Sequence, residues 1–130
     1  MIIVFLVIEK RIMNTESIKI PFFPLNISLL PGEDIPLRVF EPRYKQLINE
    51  CLEEKKSFGI PFSKGNETLS HGVEVKIKQL VAKNSKDEMV ITVEGIALFE
   101  ILSFEDPFPG KLYSAGEIKY LKIDQPIEFP

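Results

Sequence analysis

The chain has 130 residues, of which 45% are apolar and 27% are charged, and its formal net charge is −3. This length fits one globular domain, and the acidic balance argues against a nucleic-acid-binding protein, which usually carries a clustered basic face. The single cysteine excludes an internal disulfide bond and fits a reducing compartment, so we expect a cytoplasmic protein. One histidine and one cysteine are too few for a structural zinc site, and no cofactor is expected.

The first residues form an apolar run, Met1 to Ile8, that lies ahead of Lys10 and Arg11. The run is too short to cross a membrane, which takes about 20 apolar residues. It also lacks the basic start and the small-residue cleavage site of a signal peptide. We therefore interpret residues 1–17 as an N-terminal extension and predict no membrane anchor.

The clearest local pattern is an amphipathic helix that begins at Pro42. Proline suits the first helical position, because its missing N–H would have no partner there. The following residues repeat at the spacing of one buried helical face, with charged and amide side chains between them. The apolar positions are Tyr44, Leu47, Ile48, Cys51 and Leu52.

The remainder of the chain has the pattern of β structure. Residues 73–78 alternate apolar and charged side chains, as a half-buried strand does, and residues 89–94 have one strongly apolar face and one mixed face. The polar segment 84–87 between them indicates a hairpin connection, and Gly95 marks a bulge or bend. A further strand is predicted within residues 113–123. Ten prolines beside extended segments favour short strands that bend often, as in a small barrel or a folded sheet.

Motifs of catalysis are missing from the sequence. It contains no glycine-rich phosphate loop, no dinucleotide-binding fingerprint and no nucleophile elbow. Cys51 lies on the apolar face of the predicted helix, where a thiol is usually buried and inert. His71 is predicted to be an exposed loop residue without an acid–base partner. We therefore predict no catalytic residue, no metal site and no enzyme activity.

Six segments carry motifs that occur together in one protein family. They are Ile-Pro-Phe-Phe-Pro-Leu-Asn at 20–26, Leu-Leu-Pro-Gly at 29–32, Ile-Pro-Leu-Arg-Val-Phe-Glu-Pro-Arg-Tyr at 35–44, Phe-Gly-Ile at 58–60, Gly-Val-Glu-Val-Lys-Ile at 72–77 and Val-Glu-Gly at 93–95. Together they resemble the N-terminal substrate-recognition domain of the Lon protease family, in its short stand-alone form. The segment 35–44 is the most specific of the six.

The resemblance implies a mainly β fold with one α-helix, a folded-sheet pseudo-barrel related to the PUA-like fold. It implies a Lon-like β domain over residues 18–123 and a tail over 124–130, without the helical bundle that follows the barrel in family members. In Lon proteases this domain helps to select and hold unfolded substrates, while the ATPase and the protease lie downstream. The implied function is a non-catalytic protein-binding domain.

The implied partners are unfolded or apolar protein segments, or a larger protease assembly. The alternative function is nucleic-acid binding, because PUA-like barrels include RNA-binding members. A small-molecule pocket is a third possibility, and a hydrolase comes last.

The Phe40–Tyr44 motif has a clear conformational use. Pro42 starts the helix and restricts the preceding residue to extended geometry, so a strand can pass into the helix with almost no loop. We expect Phe40 and Tyr44 to close one end of the barrel, and Arg38, Glu41 and Arg43 to pair across the junction. An exposed arginine and aromatic surface is the alternative, since interfaces favour that composition.

A second candidate surface is the apolar, proline-bearing run from Pro21 to Pro24, together with Phe62 and the segment 104–109, and it contains the adjacent aromatic residues Phe22 and Phe23. Neighbours in a strand point to opposite faces, so at least one ring is expected to be exposed or to line a groove for an extended apolar peptide. Burial under the N-terminal extension or in a homodimer is the alternative. The candidate protein-binding residues are therefore Phe22, Phe23, Arg38 and Arg43.

Overall fold

The computed structural model describes residues 17–121. Six strands and one helix follow one another in this part of the chain: β1 (Ile18–Phe22), β2 (Asp34–Val39), α1 (Pro42–Glu54), β3 (Phe58–Lys64), β4 (Glu67–Lys83), β5 (Met89–Ile101) and β6 (Ser114–Tyr120). The predicted extension over 1–17 lies outside the described residues, except for Ser17. The predicted tail over 124–130 also lies outside them.

The sheet closes on itself. Its strand order is β2-β5-β4-β3-β1-β6, and β6 pairs with β5 as well as with β1. The closing contact joins Phe99 to Tyr120 and Ile101 to Ile118 in antiparallel register. The C-terminal part of β5, the N-terminal part of β4, and strands β3, β1 and β6 therefore form a small barrel. The other halves of β4 and β5 extend beyond it and pair with β2 as a three-stranded arm.

The barrel interior is filled by two aromatic rings. Phe22 and Phe99 stack with their ring centroids 6.1 Å apart, and both side chains are fully buried. The room for these rings depends on the absence of a side chain at Gly59 and Gly72. A Cβ at these positions would lie 2.9 Å and 2.8 Å, respectively, from the ring of Phe99. Small residues on two neighbouring strands thus allow large rings to fill a narrow barrel.

The larger core lies between α1 and the sheet. Tyr44, Leu47, Ile48 and Cys51 are the buried residues of the helix, which confirms the predicted apolar face. The helix begins at Pro42 as predicted, and it ends where Lys55 adopts a left-handed conformation with φ of 56°.

The predicted strand features of the β4–β5 pair are also observed. The two strands are joined through the predicted segment 84–87, which confirms the hairpin. Glu74 pairs with Ala97 and Val75 pairs with Gly95, so Ile96 is the extra residue of a bulge next to Gly95. Gly95 lies close to the backbone of Leu30, because a Cβ on Gly95 would be 2.5 Å from the Leu30 carbonyl oxygen.

The prediction of a mainly β fold with one helix is confirmed for the described residues. The relation to the PUA-like class stays a prediction. Within residues 17–121, no helix has the length and apolar character needed to cross a membrane.

Candidate functional site

The junction between β2 and α1 is built as the sequence predicts. β2 ends at Val39, and Glu41 is extended, with φ of −81° and ψ of 142°, before Pro42 takes the first helical position. The carbonyl of Glu41 accepts the first helical hydrogen bond, from the N–H of Lys45 at 2.9 Å. Only Phe40 and Glu41 therefore separate the strand from the helix, and Phe40 is held by ordered structure on both sides.

Phe40 points into solvent, with 61% of its surface exposed. This follows from the alternation of β2, in which Leu37 and Val39 are buried while Pro36 and Arg38 are exposed. Phe40 is the next residue on the exposed face, after Pro36 and Arg38. The expectation that it closes the barrel end beside Tyr44 is therefore wrong.

Tyr44 lies on the opposite side of the junction. Its ring stacks on Phe23 with centroids 3.9 Å apart and is only 6% exposed. Burial raises the pKa of the Tyr44 hydroxyl, so this phenol stays protonated at neutral pH. The two aromatic residues of the motif thus have different uses, since Tyr44 belongs to the core and Phe40 to the surface.

Two open depressions flank Phe40, and both include Arg38 and Phe40 in their walls. The smaller has a volume of about 200 Å³, and its other walls are Phe23, Pro24, Leu25, Glu41, Arg43 and Tyr44. The larger has a volume of about 440 Å³, and its other walls are Val39, Ala82, Lys83, Asn84, Glu88, Met89 and Val90. We call Arg38, Phe40, Arg43 and these two depressions the Phe40 surface.

The cations of the Phe40 surface differ in their partners. Arg43 pairs with Glu41 at 3.3 Å, and its guanidinium lies 4.8 Å from the centre of the Tyr44 ring. Lys83 pairs with Asp87 at 2.9 Å. Arg38 is exposed and forms no ion pair with any residue from 17 to 121. The predicted pairing across the junction is therefore observed for Glu41 and Arg43 only.

The far wall of the larger depression is braced by α1. Lys45 Nζ donates a hydrogen bond to the carbonyl of Lys86 at 2.8 Å, and Asn49 Nδ2 donates to Asp87 Oδ2 at 2.8 Å. Hydrogen bonds from Lys83 and Asn49 lower the pKa of Asp87, so its carboxylate stays charged at neutral pH. The hairpin and the helix are thereby held together.

The second candidate surface is exposed at Phe104, which is 42% exposed, but not at Phe22 and Phe23. Phe22 is 0% exposed and Phe23 is 2% exposed, so neither ring projects into solvent. The two rings do point to opposite faces, as predicted, but each face is covered by a separate cluster. Phe22 lies in the barrel with Phe99, whereas Phe23 lies in the larger core with Tyr44. The prediction of an exposed ring at this pair is therefore wrong. Phe23 does line the smaller depression, and its contact with a partner stays a prediction.

Two side chains are considered for chemistry, those of Cys51 and His71. Cys51 is a buried free thiol, and burial raises its pKa to about 12, so it carries almost no thiolate at neutral pH. His71 is exposed as predicted, but it lies in β4 rather than in a loop, beside Ser70 Oγ at 3.1 Å from its Nδ1. In the described part of the chain, no three potential metal-ligating side chains come together.

The sequence does contain a signal for the exposure of Phe40. The positions Leu37 and Val39 share one face of β2, and a residue one step after Val39 must continue the opposite face. The aromatic character of Phe40 favours burial when it is considered alone. Strand parity is the better guide at this position.

Comparison with known proteins places the chain in a family. Residues 19–128 match the family described as the ATP-dependent protease La (LON) substrate-binding domain. A crystal structure of a Lon N-terminal domain protein from Xanthomonas campestris is similar, with 29% identity and a TM-score of 0.68 over 79% of this chain and 59% of that one. The N-terminal domain of Lon protease from the Mycobacterium avium complex shares the fold, with 17% identity and a TM-score of 0.65 over 87% of this chain and 58% of the other. This chain thus spans less than two thirds of each solved structure, and it belongs to the family of Lon substrate-binding domains.

Proposed function

We propose that this chain is a non-catalytic protein-binding domain that holds exposed apolar segments of protein substrates in the context of Lon-type proteolysis. The family supports the general role, since its members are described as substrate-binding domains. The observation that carries the proposal for this chain is Phe40, a large aromatic side chain left 61% exposed between two depressions. An exposed apolar residue rimmed by charged groups is typical of a protein interaction site.

The physical basis of the proposed binding is an apolar side chain on a segment of backbone that is already ordered. Phe40 follows a strand directly and precedes a helix by one residue, so little conformational entropy is lost when a partner covers it. The braced hairpin fixes the opposite wall. An unfolded segment would place an apolar side chain in the larger depression, while its backbone remains extended along the arm.

The nucleic-acid alternative has less support. The exposed lysines on the arm are neutralised within the chain, since Lys76 pairs with Glu94 at 3.5 Å and Lys78 pairs with Asp34 at 2.6 Å. Phosphate binding depends on cations that are free to replace counterions. The proposal also includes a cytoplasmic location, in keeping with the free thiol of Cys51.

The proposal is tested by binding of fluorescein-labelled β-casein, an unfolded protein, followed by fluorescence anisotropy. We expect saturable binding with a dissociation constant of about 1–100 µM, and at least about fivefold weaker binding for Phe40→Ala, since a buried aromatic contact contributes on the order of 1–2 kcal/mol. Leu102→Ala is the matched control, because Leu102 is 50% exposed and follows the opposite end of β5.

No binding up to about 100 µM would contradict the proposal, since an affinity weaker than this leaves little surplus over the cost of association. Equal losses in Phe40→Ala and Leu102→Ala would place the binding elsewhere. Salt-sensitive binding of single-stranded RNA in place of casein would favour the alternative function.

A further inference from the structure

The outer face of the three-stranded arm has two different ends. Directly opposite residues of antiparallel strands project from the same face of a sheet. At one end of the arm, Asp34 lies opposite Glu94, and both carboxylates are paired with lysines of β4. At the other end, Arg38 lies opposite Val90, which in turn lies opposite Ala82. The charges are balanced at the first end, whereas the second carries one guanidinium beside apolar side chains.

Arg38 is the cation of the Phe40 surface that is left for a partner. Arg43 already has the carboxylate of Glu41, and Lys83 has that of Asp87. No carboxylate among residues 17–121 forms an ion pair with Arg38, although its side chain lines both depressions. A guanidinium binds a carboxylate through two parallel hydrogen bonds, which fixes the direction as well as the position of the bound group.

The negative charge of Glu88 in the larger depression restricts where an acidic group can bind. Glu88 lines the same depression, and its Oε1 accepts a hydrogen bond from Asn84 Nδ2 at 2.8 Å. A second carboxylate placed near Glu88 would be repelled. An incoming acidic side chain is therefore directed to the Arg38 side, next to Phe40.

We propose that the Phe40 surface selects substrate segments in which a carboxylate stands next to a bulky apolar side chain. The carboxylate pairs with Arg38, and the apolar side chain enters the larger depression against Phe40 and Val90. This inference rests on the proposed function, because it names the kind of segment that the same surface holds.

The test uses two fluorescein-labelled peptides that differ in one group. One carries Glu-Leu-Phe at its centre and the other carries Gln-Leu-Phe, in identical flanking sequences of glycine and serine. Anisotropy titrations are made with the unaltered protein, Arg38→Gln, Phe40→Ala and the charge-matched control Lys119→Gln. Circular dichroism checks that each variant is folded, which we expect because all three side chains are exposed.

For the unaltered protein we expect the Glu peptide to bind about three- to fivefold more tightly than the Gln peptide, as suits one exposed ion pair. Arg38→Gln should reduce this ratio to about one, whereas Lys119→Gln should preserve it, because Lys119 lies opposite Glu100, at the other end of β5 from the Arg38–Val90 pair. Added salt should reduce the ratio in the unaltered protein. Phe40→Ala should weaken the binding of both peptides.

Equal binding of the two peptides to the unaltered protein overturns the selection of a carboxylate. If Phe40→Ala still weakens both peptides in that case, the proposed apolar binding function stands without it. Loss of the preference in Lys119→Gln as well as in Arg38→Gln also overturns the inference, since it indicates a diffuse positive field. If neither peptide binds the unaltered protein while casein does, the surface holds a different kind of segment and the inference fails.

Discussion

Phe23 stacks on Tyr44 with ring centroids 3.9 Å apart and an interplanar angle of 14°. The contact joins the segment after β1 to the first turn of α1, and both rings belong to the larger core. It forms the floor of the smaller depression beside Phe40. A residue predicted as a binding contact therefore supports the surface from below.

The first prediction compares the contributions of buried Phe23 and exposed Phe40 to the free energy of unfolding. Phe23→Ala should lower the free energy of unfolding by about 3–5 kcal/mol, because it removes a buried aromatic side chain and leaves a cavity. Phe40→Ala should change it by no more than about 0.5 kcal/mol, as is usual for exposed positions. Urea denaturation followed by circular dichroism measures both values. A loss above about 2 kcal/mol for Phe40→Ala would show that Phe40 is part of the core.

The elements could be predicted because their patterns are local. The helical repeat from Tyr44 to Leu52 and the alternation of residues 73–78 depend only on neighbouring residues, and both are confirmed. The hairpin at 84–87 is also encoded locally, by a polar segment between two apolar ones.

The burial of Phe22 and Phe23 could not be derived in this way. Phe22 is covered because β6 pairs with both β1 and β5, which closes the barrel around its ring. Phe23 is covered by the helix, through Tyr44. Both contacts join residues far apart in the sequence, and alternation alone says which face a ring takes but not whether that face is covered. Arg38 and Arg43 are exposed, and their binding of a partner stays a prediction.

The second prediction concerns the close approach at Gly95. A Cβ on this residue would lie 2.5 Å from the carbonyl oxygen of Leu30, and backbone atoms cannot easily move away. The N–H of Gly95 also donates to the carbonyl of Glu33 at 2.9 Å, which ties the segment before β2 to the bulge. Gly95→Ala should therefore destabilise the protein by about 2–3 kcal/mol through overpacking.

Gly110→Ala serves as the control for Gly95→Ala. Gly110 has φ of +82°, and a Cβ added to it would meet no atom within 4 Å, so alanine there introduces conformational strain but no collision. Its expected cost is about 1 kcal/mol. Thermal unfolding of the two variants compares them. Equal costs would mean that Leu30 shifts freely and that the contact at Gly95 is not restrictive.

The third prediction concerns the thiol of Cys51. Burial raises its pKa to about 12, and the side chain is only 3% exposed. A chromogenic disulfide reagent should therefore react with the folded protein at least about 100-fold more slowly than with the urea-unfolded chain, because reaction requires local opening. The absorbance of the released thiolate gives both rates. Similar rates in the two states would show that the face of α1 carrying Cys51 opens easily.

The fourth prediction concerns the acid side of the stability profile and the carboxylate of Glu50. Burial alone would raise its pKa, but hydrogen bonds from Tyr113 and Lys111 outweigh burial and lower the pKa below the usual 4.5. Lys111 Nζ donates to Glu50 Oε2 at 2.9 Å, and the Tyr113 hydroxyl donates to Oε1. These bonds hold the segment before β6 against α1.

Because the pKa of Glu50 is lower in the folded state, its stabilising contribution is fully present above about pH 4.5 and is lost as pH falls through the folded value. A glutamine side chain does not ionise, so the Glu50→Gln variant has no such contribution to lose as the pH falls. The variant should therefore be less stable than the unaltered protein by about 1 kcal/mol at neutral pH, and the difference should shrink toward about pH 3.

Urea midpoints measured at several pH values from about pH 6 to about pH 3 test this, with Glu53→Gln as a control on the exposed face of the same helix. The control should show only a small difference, as is usual for exposed positions. A constant difference for Glu50→Gln across the range would mean that the carboxylate charge contributes nothing and that only the shape of the side chain matters. A difference that grows toward low pH would reverse the direction of the pKa shift, and Tyr113 and Lys111 would then not stabilise the charged form of Glu50.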